Sequence, residues 1–208
     1  MPGKAAIKKA HHFSGILLIT FIVVHLLNHI MIFFSIEAHL EFMNVARKVY
    51  RHPVIEPILF ASILFQVSSG CLLLWKKWRQ ADSIWDKLQI YSGIYFIYFL
   101  IAHPAAVLFG RQVWHLDTNL FFGAAVLNLN PLYYYFVFHY GLAIAAFFTH
   151  VACVHRIKIQ AYTSQKNAST QSKIILAVGI VLAILIVSKM MDIPIPQEYL
   201  DGYSSVAK

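Results

Sequence analysis

The sequence predicts an all-α integral membrane bundle of five transmembrane helices, and three observations carry that prediction. Of 208 residues, 59% are hydrophobic and 12% charged, where soluble domains carry about 25% charged residues. Five stretches reach the roughly 20 apolar residues that a spanning helix needs. The basic residues collect at the ends of those stretches and not in a stripe. Residues 1–208 read as a single transmembrane domain, with spans at about 12–34, 53–75, 89–110, 131–155 and 173–191.

The first span, "SGILLITFIVVHLLNHI", opens on Ser14-Gly15 and places His25 and His29 in its apolar interior. It is too long for a signal-peptide core, and no small-residue cleavage site follows before Glu37, so a retained helix is expected. The second span starts at His52-Pro53 and carries Glu56 near its outer end. The third opens on Tyr91-Ser92-Gly93 and holds His103. The fourth starts at Asn130-Pro131 and holds His139 and His150. The fifth, "IILAVGIVLAILIVS", has no polar residue before Ser188, as expected of a peripheral, lipid-facing helix. Gly15, Gly70, Gly93 and Gly141 are of the kind that permits close helix approach or contact with a flat ligand.

Eleven of the 17 Lys and Arg precede the first span or lie in the loops after the second and fourth: Lys4, Lys8, Lys9, Lys76, Lys77, Arg79, Lys87, Arg156, Lys158, Lys166 and Lys173. The opposite side holds Arg47, Lys48, Arg51, Arg111, Lys189 and Lys208. The positive-inside rule then predicts a cytoplasmic N-terminus and an outer C-terminus. On this reading the net charge of +8 reports topology and not a nucleic-acid partner. Cys71 and Cys153 form no CxxC pair or disulfide framework and read as structural residues.

An internal duplication at an offset of 78 residues aligns Phe13-Ser14-Gly15-Ile16 with Tyr91-Ser92-Gly93-Ile94, Phe21 with Phe99, and His25 with His103. The same offset brings His52-Pro53 onto Asn130-Pro131. With a small shift, His39-Leu40-Glu41 and Asn44 match His115-Leu116-Asp117 and Asn119. Spans one and two would then repeat as spans three and four, related by a rotation about the membrane normal.

Of the 11 histidines, His11, His12, His39, His52, His115 and His155 fall at or beyond span ends, where histidine is ordinary. His25, His29, His103, His139 and His150 fall inside, and ionisable groups at membrane depth are rare and functional by default. Two neutral imidazoles at matching depth on facing helices are what six-coordinate haem iron requires, and the repeat makes His25 and His103 that pair. His139 and His150 lie eleven residues apart on one face, about 16 Å along the helix, which leaves room for a second layer of ligand chemistry. The rival is a metal site of the membrane di-iron oxygenase kind, because His25-x3-His29 is a one-face helical pair. Such enzymes need several such clusters, and the sequence has one HxxxH.

With these residues in place, the sequence resembles the single-chain, five-helix cytochrome b subunits of succinate:quinone and quinol:fumarate oxidoreductases. The resemblance rests on "HHFSGILLITFIVVHLLNH" with Phe21, His25, Asn28 and His29, and on "IEPILFASILFQVSSG" with Glu56, Phe65 and Gly70. The Ser-Gly opening and internal His103 of the third span, and Asn130-Pro131 and His150 of the fourth, complete it over roughly residues 10–190. It implies an outer haem b on His25 and His103, and an inner haem on histidines of the second and fourth spans. His150 is present, but Gln66 stands where the family has histidine. The expectation is therefore one haem. A second would need another residue such as His11 or His12, and Gln66 itself could hydrogen-bond a haem propionate or a quinone.

The resemblance further implies flavoprotein and iron–sulfur partner subunits on the cytoplasmic face of a bacterial inner membrane, with quinone as substrate. Lys76, Lys77, Arg79, Arg156 and Lys158 would form the docking surface. Quinone carbonyls need hydrogen-bond donors at the lipid interface, and the polar openings with His12, Ser14, Tyr91 and Ser92 are the candidates. The different-class alternative is a non-redox assembly or lipid-interacting protein on the same scaffold.

Overall fold

A computed structural model of the chain describes residues 2–204, with backbone alone for residues 2–4 and 204, so Lys208 and the side chain of Lys4 lie outside it. The elements are α1 (Pro2–Ile30), a 3-10 turn (Met31–Phe33), α2 (Ile36–Tyr50), α3 (Ile55–Trp78), α4 (Ile84–Gln112), α5 (Leu120–Ala125), α6 (Leu132–Ile159), α7 (Gln165–Met191) and α8 (Gln197–Ser204). No strand occurs among the described residues. Five helices are long and apolar enough to cross a membrane: Ala5–Phe33, Ile55–Trp78, Ile84–Gln112, Leu132–Ile159 and Gln165–Met191.

These correspond to the five expected spans, with corrected boundaries. Hydropathy marks where a helix becomes apolar, whereas its backbone starts where a side chain can satisfy the first free N–H groups. Ser83 caps α4 by accepting from Asp86 N, with the Asp86 carboxylate bonding back to the Ser83 N–H. That starts the helix at Ile84 and not at about 89. Ser164 accepts from Asn167 N at 3.2 Å and starts α7 at Gln165, eight residues ahead of the expected 173. The second helix starts at Ile55, two residues after Pro53, and the fourth runs on to Ile159 through the basic segment Arg156–Lys158.

Three helices lie outside the expected set. Helix α2 is amphipathic: Ser35 caps it, Glu37 sits in its first turn and Arg47 and Lys48 in its last, where they complement the helix dipole. Its His39 and Met43, one turn apart, are buried. Helices α5 and α8 close one end of the bundle, where Tyr203 donates to the Phe122 carbonyl at 3.0 Å and Trp114, Phe122 and Tyr203 stack together.

Closest backbone approaches run α1 on α3, α3 on α4, α4 on α6 and α6 on α7. Side chains fill the remaining space: Leu26, Leu120, Leu127, Phe147 and Ile186 form the main buried cluster. Helix α7 lies at the outer side of α6, with Ile174, Val178, Val181 and Ile184 exposed. Charged side chains link α2 to the α4–α5 connection and the end of α4 to α3. Arg47 meets Asp117 at 2.9 Å, Arg51 donates to Thr118 at 2.8 Å, and Arg111 meets Glu56 at 2.5 Å.

The bond between α1 and α2 makes the fold sensitive to pH. His39 Nδ1–H donates to the Asn28 carbonyl at 2.7 Å, and Asn28 Nδ2–H donates to His39 Nε2 at 3.2 Å, so the imidazole is neutral. Burial holds His39 down at about 4 from its usual 6.5, against the bond to the Asn28 carbonyl, and the Arg47 guanidinium adds to the lowering. A released α2 would take up a proton below pH 6.5 that the docked helix refuses until about pH 4. Docking is therefore fully stable above pH 6.5 and weakens as pH falls through that window, by about 2 kcal/mol at pH 5. Amide exchange in Ile36–Tyr50, corrected for its intrinsic pH dependence, should quicken from pH 7 to pH 5. The His39→Asn variant should lose that response, and equal protection in the unsubstituted protein at both pH values would refute the account.

Candidate functional site

Two helices bring the predicted pair together. His25 on α1 and His103 on α4 approach with ring centroids 6.1 Å apart and planes at 62°. Each imidazole stacks on the phenylalanine one turn before it. Phe21 lies 5.9 Å from His25 at 18°, and Phe99 lies 4.8 Å from His103 at 12°. Stacking at i and i−4 fixes each ring along its own helix and leaves the edges free to meet. Tyr50 from α2 closes edge-on over Phe21 at 5.5 Å.

The centroid spacing matches two imidazoles gripping one ion at a bond length of about 2 Å each. The donor set is two half-buried imidazoles backed by aromatic rings, so a metal held there would need its remaining ligands from another group, as iron in a porphyrin has. Among the described residues there is no group of three or more His, Cys, Asp or Glu side chains that could hold a metal ion alone.

The other interior histidines take distinct places. His29 packs edge-on against His25 at 4.9 Å and lies 5.6 Å from His39, with its buried Nδ1 lacking a partner. His139 is buried behind Phe99, at 5.1 Å, and its Nδ1 is engaged by the hydroxyls of Tyr95 at 3.1 Å and Tyr135 at 3.3 Å. Those hydrogen bonds hold it as a core residue one ring removed from His103.

No family model matches the chain, and no curated protein or solved structure matches it. The site is therefore argued from its own geometry.

A second constellation lies further along the same bundle. A cavity of about 180 Å³ opens between α1, α3, α4 and α6, lined by His11, Gly15, Gln66, Gly70, Gly93 and His150 among others. It extends to Ile22 and Leu100, each three residues short of His25 and His103. His11 Nδ1 lies 2.7 Å from Ser69 Oγ, Gln66 Nε2 lies 3.1 Å from His11 Nε2, and Ser14 donates to Gln66 Oε1 at 2.5 Å. On the opposite wall the His150 ring rests on Gly93, where an added Cβ would sit 3.4 Å from Cε1. Its buried Nδ1 has no partner.

The residues expected to meet quinone are dispersed. His12 and Tyr91 are exposed, with Tyr91 edge-on to Trp78 at 6.0 Å. Ser92 is buried and donates back to the Gln89 carbonyl at 3.3 Å within its own helix. Of the four glycines read as close-approach residues, Gly15, Gly70 and Gly93 line the cavity. A Cβ on Gly141 would meet nothing within 4 Å, so that glycine is not a packing residue.

Sequence reasoning missed His39. It counted as an interfacial histidine, yet it is 1% exposed and fixes the C-terminal part of α1 through Asn28. The signal was available: His39, Met43 and Arg47 repeat every four residues, as one face of a packed helix does. Ser69 was also missed, because its role depends on His11 from another helix.

Proposed function

We propose that the chain is the haem b-carrying membrane anchor of a succinate:quinone or quinol:fumarate oxidoreductase, passing electrons between an iron–sulfur partner subunit and membrane quinone. The observation that carries this reading is the His25–His103 pair, 6.1 Å apart, each ring stacked on its own phenylalanine. His25 and His103 would hold haem b from its two faces, and bound there the group would supply reversible one-electron transfer with no open position for oxygen. Phe21 and Phe99 orient the two imidazoles by stacking on them. The matching Phe–His pairs on α1 and α4 support the internal repeat.

In this reading the N-terminus is cytoplasmic, in a bacterial inner membrane, and the flavoprotein and iron–sulfur subunits dock on the end carrying Lys76, Arg79 and Arg156. The topology predicts that a cysteine at position 119 is labelled from outside intact cells and one at position 166 is not. The reverse pattern would invert the bundle.

Haem stoichiometry tests the function itself. Gln66 replaces the histidine of an inner haem, so pyridine haemochrome analysis should give one haem b per chain. A ratio of zero would leave a non-redox membrane protein on the same scaffold, and a ratio of two would show that the inner cavity also coordinates iron.

A further inference from the structure

The cavity at His11, Gln66 and His150 is a hydrogen-bonding slot, and its donors can be counted. The Ser69 hydroxyl donates to the Phe65 carbonyl at 2.6 Å, so its oxygen accepts from His11 Nδ1–H at 2.7 Å. That tautomer leaves His11 Nε2 as a lone pair, which Gln66 Nε2–H caps at 3.1 Å. Gln66 Oε1 is taken in turn by the Ser14 hydroxyl at 2.5 Å, which fixes the amide so that it cannot flip without losing both bonds. One amide N–H of Gln66 is left over. Across the slot stands the buried, unpartnered Nδ1 of His150.

A chain of this kind does not offer iron two free imidazole lone pairs, because His11 Nε2 is already used. It offers the Gln66 amide on the α1–α3 wall and the His150 ring on the α4–α6 wall of a slot that is otherwise largely apolar, with Ile19, Leu73, Phe96 and Ile97, apart from Lys77 and Gln89, which bond to each other. Glycines stand on both walls. A Cβ on Gly15 would sit 3.2 Å from Gln66 Nε2, and one on Gly70 would sit 3.4 Å from Ile97 Cδ1. The complementary ligand is flat and apolar, with an acceptor for the Gln66 amide.

We propose that this cavity seats the headgroup of the membrane quinone. Its ring lies between the Gly15–Gly70 wall and Gly93, with one carbonyl accepting from the Gln66 amide and the other end of the ring packed against the His150 imidazole. Buried polar groups of this sort stay unpaired only at a cost that a ligand removes, and a largely apolar pocket with a few convergent polar groups is the usual form of a small-molecule site. The seat replaces the exposed His12 and Tyr91 and the buried Ser92. Ser14 contributes only by holding Gln66.

The assignment rests on the proposed quinone-linked function, and its test separates the two. The purified full-length chain in detergent micelles is titrated calorimetrically with menadione, alongside Gln66→Leu and His150→Leu, and haem absorbance is recorded on each sample. The seat predicts saturable binding to the unsubstituted chain, weakened at least tenfold by Gln66→Leu, with haem absorbance unchanged in that variant. Unsaturable menadione binding by the unsubstituted chain overturns the seat, as does undiminished affinity in Gln66→Leu. Loss of one of two haems in His150→Leu overturns it as well, because the slot would then be a second haem site. Gln66-dependent binding by a chain without haem upholds the seat and removes the cytochrome reading.

Discussion

His25→Ala and His103→Ala should each leave the purified protein without haem, a loss of more than about 100-fold in haem affinity, since substituting even a residue that only orients a metal ligand costs 10–100-fold. On the proposed reading each variant would remove one of the two nitrogens that hold the haem, at a site where aromatic side chains leave water a poor substitute. His29→Ala should keep the haem, because its ring meets His25 edge-on and the proposed ligands are His25 and His103. His139→Ala is the informative contrast. The Nδ1 of that imidazole is engaged by Tyr95 and Tyr135, and Phe99 packs against both it and His103. A protein bleached by His139→Ala and coloured in His103→Ala would assign the haem to α1 and α6 instead. Visible absorbance normalised to protein reads all four variants.

Gly179→Leu should detach α7 from α6. A Cβ at Gly179 would lie 2.1 Å from Phe148 Cβ and 2.4 Å from its Cγ, atoms too close to the α6 backbone to swing away. Replacing helical glycine by a better helix former ordinarily gains about 1 kcal/mol. Here the helices must separate instead, and overpacking costs typically 1–3 kcal/mol for added methylenes in a core that can relax. Alanine already creates the clash and leucine enlarges it. Gly141→Ala is the control: nothing lies within 4 Å of its added Cβ, so the propensity gain stands alone. Detergent-denaturation midpoints should fall for Gly179→Leu and hold or rise for Gly141→Ala. Equal midpoints in the two variants would refute the packing account.

The five membrane-length helices were legible because hydropathy over about 20 residues is a one-dimensional signal and the bilayer is the reason for it. Helix α2 was not, because its Glu37, Glu41, Arg47 and Lys48 depress hydropathy while a narrow face of His39 and Met43 does the packing. The glycines show the same limit. Gly141 and Gly179 are alike as letters within apolar helices, yet one faces open space and the other receives a phenylalanine. Which is which depends on the rotation of α6 and α7 about their axes, and single-span composition does not encode it.

The site divides in the same way. The offset of 78 residues picked out His25 and His103, and their Phe21 and Phe99 stacks follow from i−4 spacing along each helix. Gln66 drew notice as a missing histidine. Its actual place, between His11, Ser14 and the cavity, comes from the antiparallel register of α1 and α3, a tertiary relation that no spacing along the chain reports.

The most direct test of the central claim, a haem b held between His25 and His103, is the visible spectrum of the purified protein before and after dithionite, with carbon monoxide then added. The account predicts a b-type spectrum that sharpens on reduction and does not respond to carbon monoxide, because two imidazoles fill both axial positions. A colourless protein, or a reduced spectrum that shifts with carbon monoxide, would contradict it.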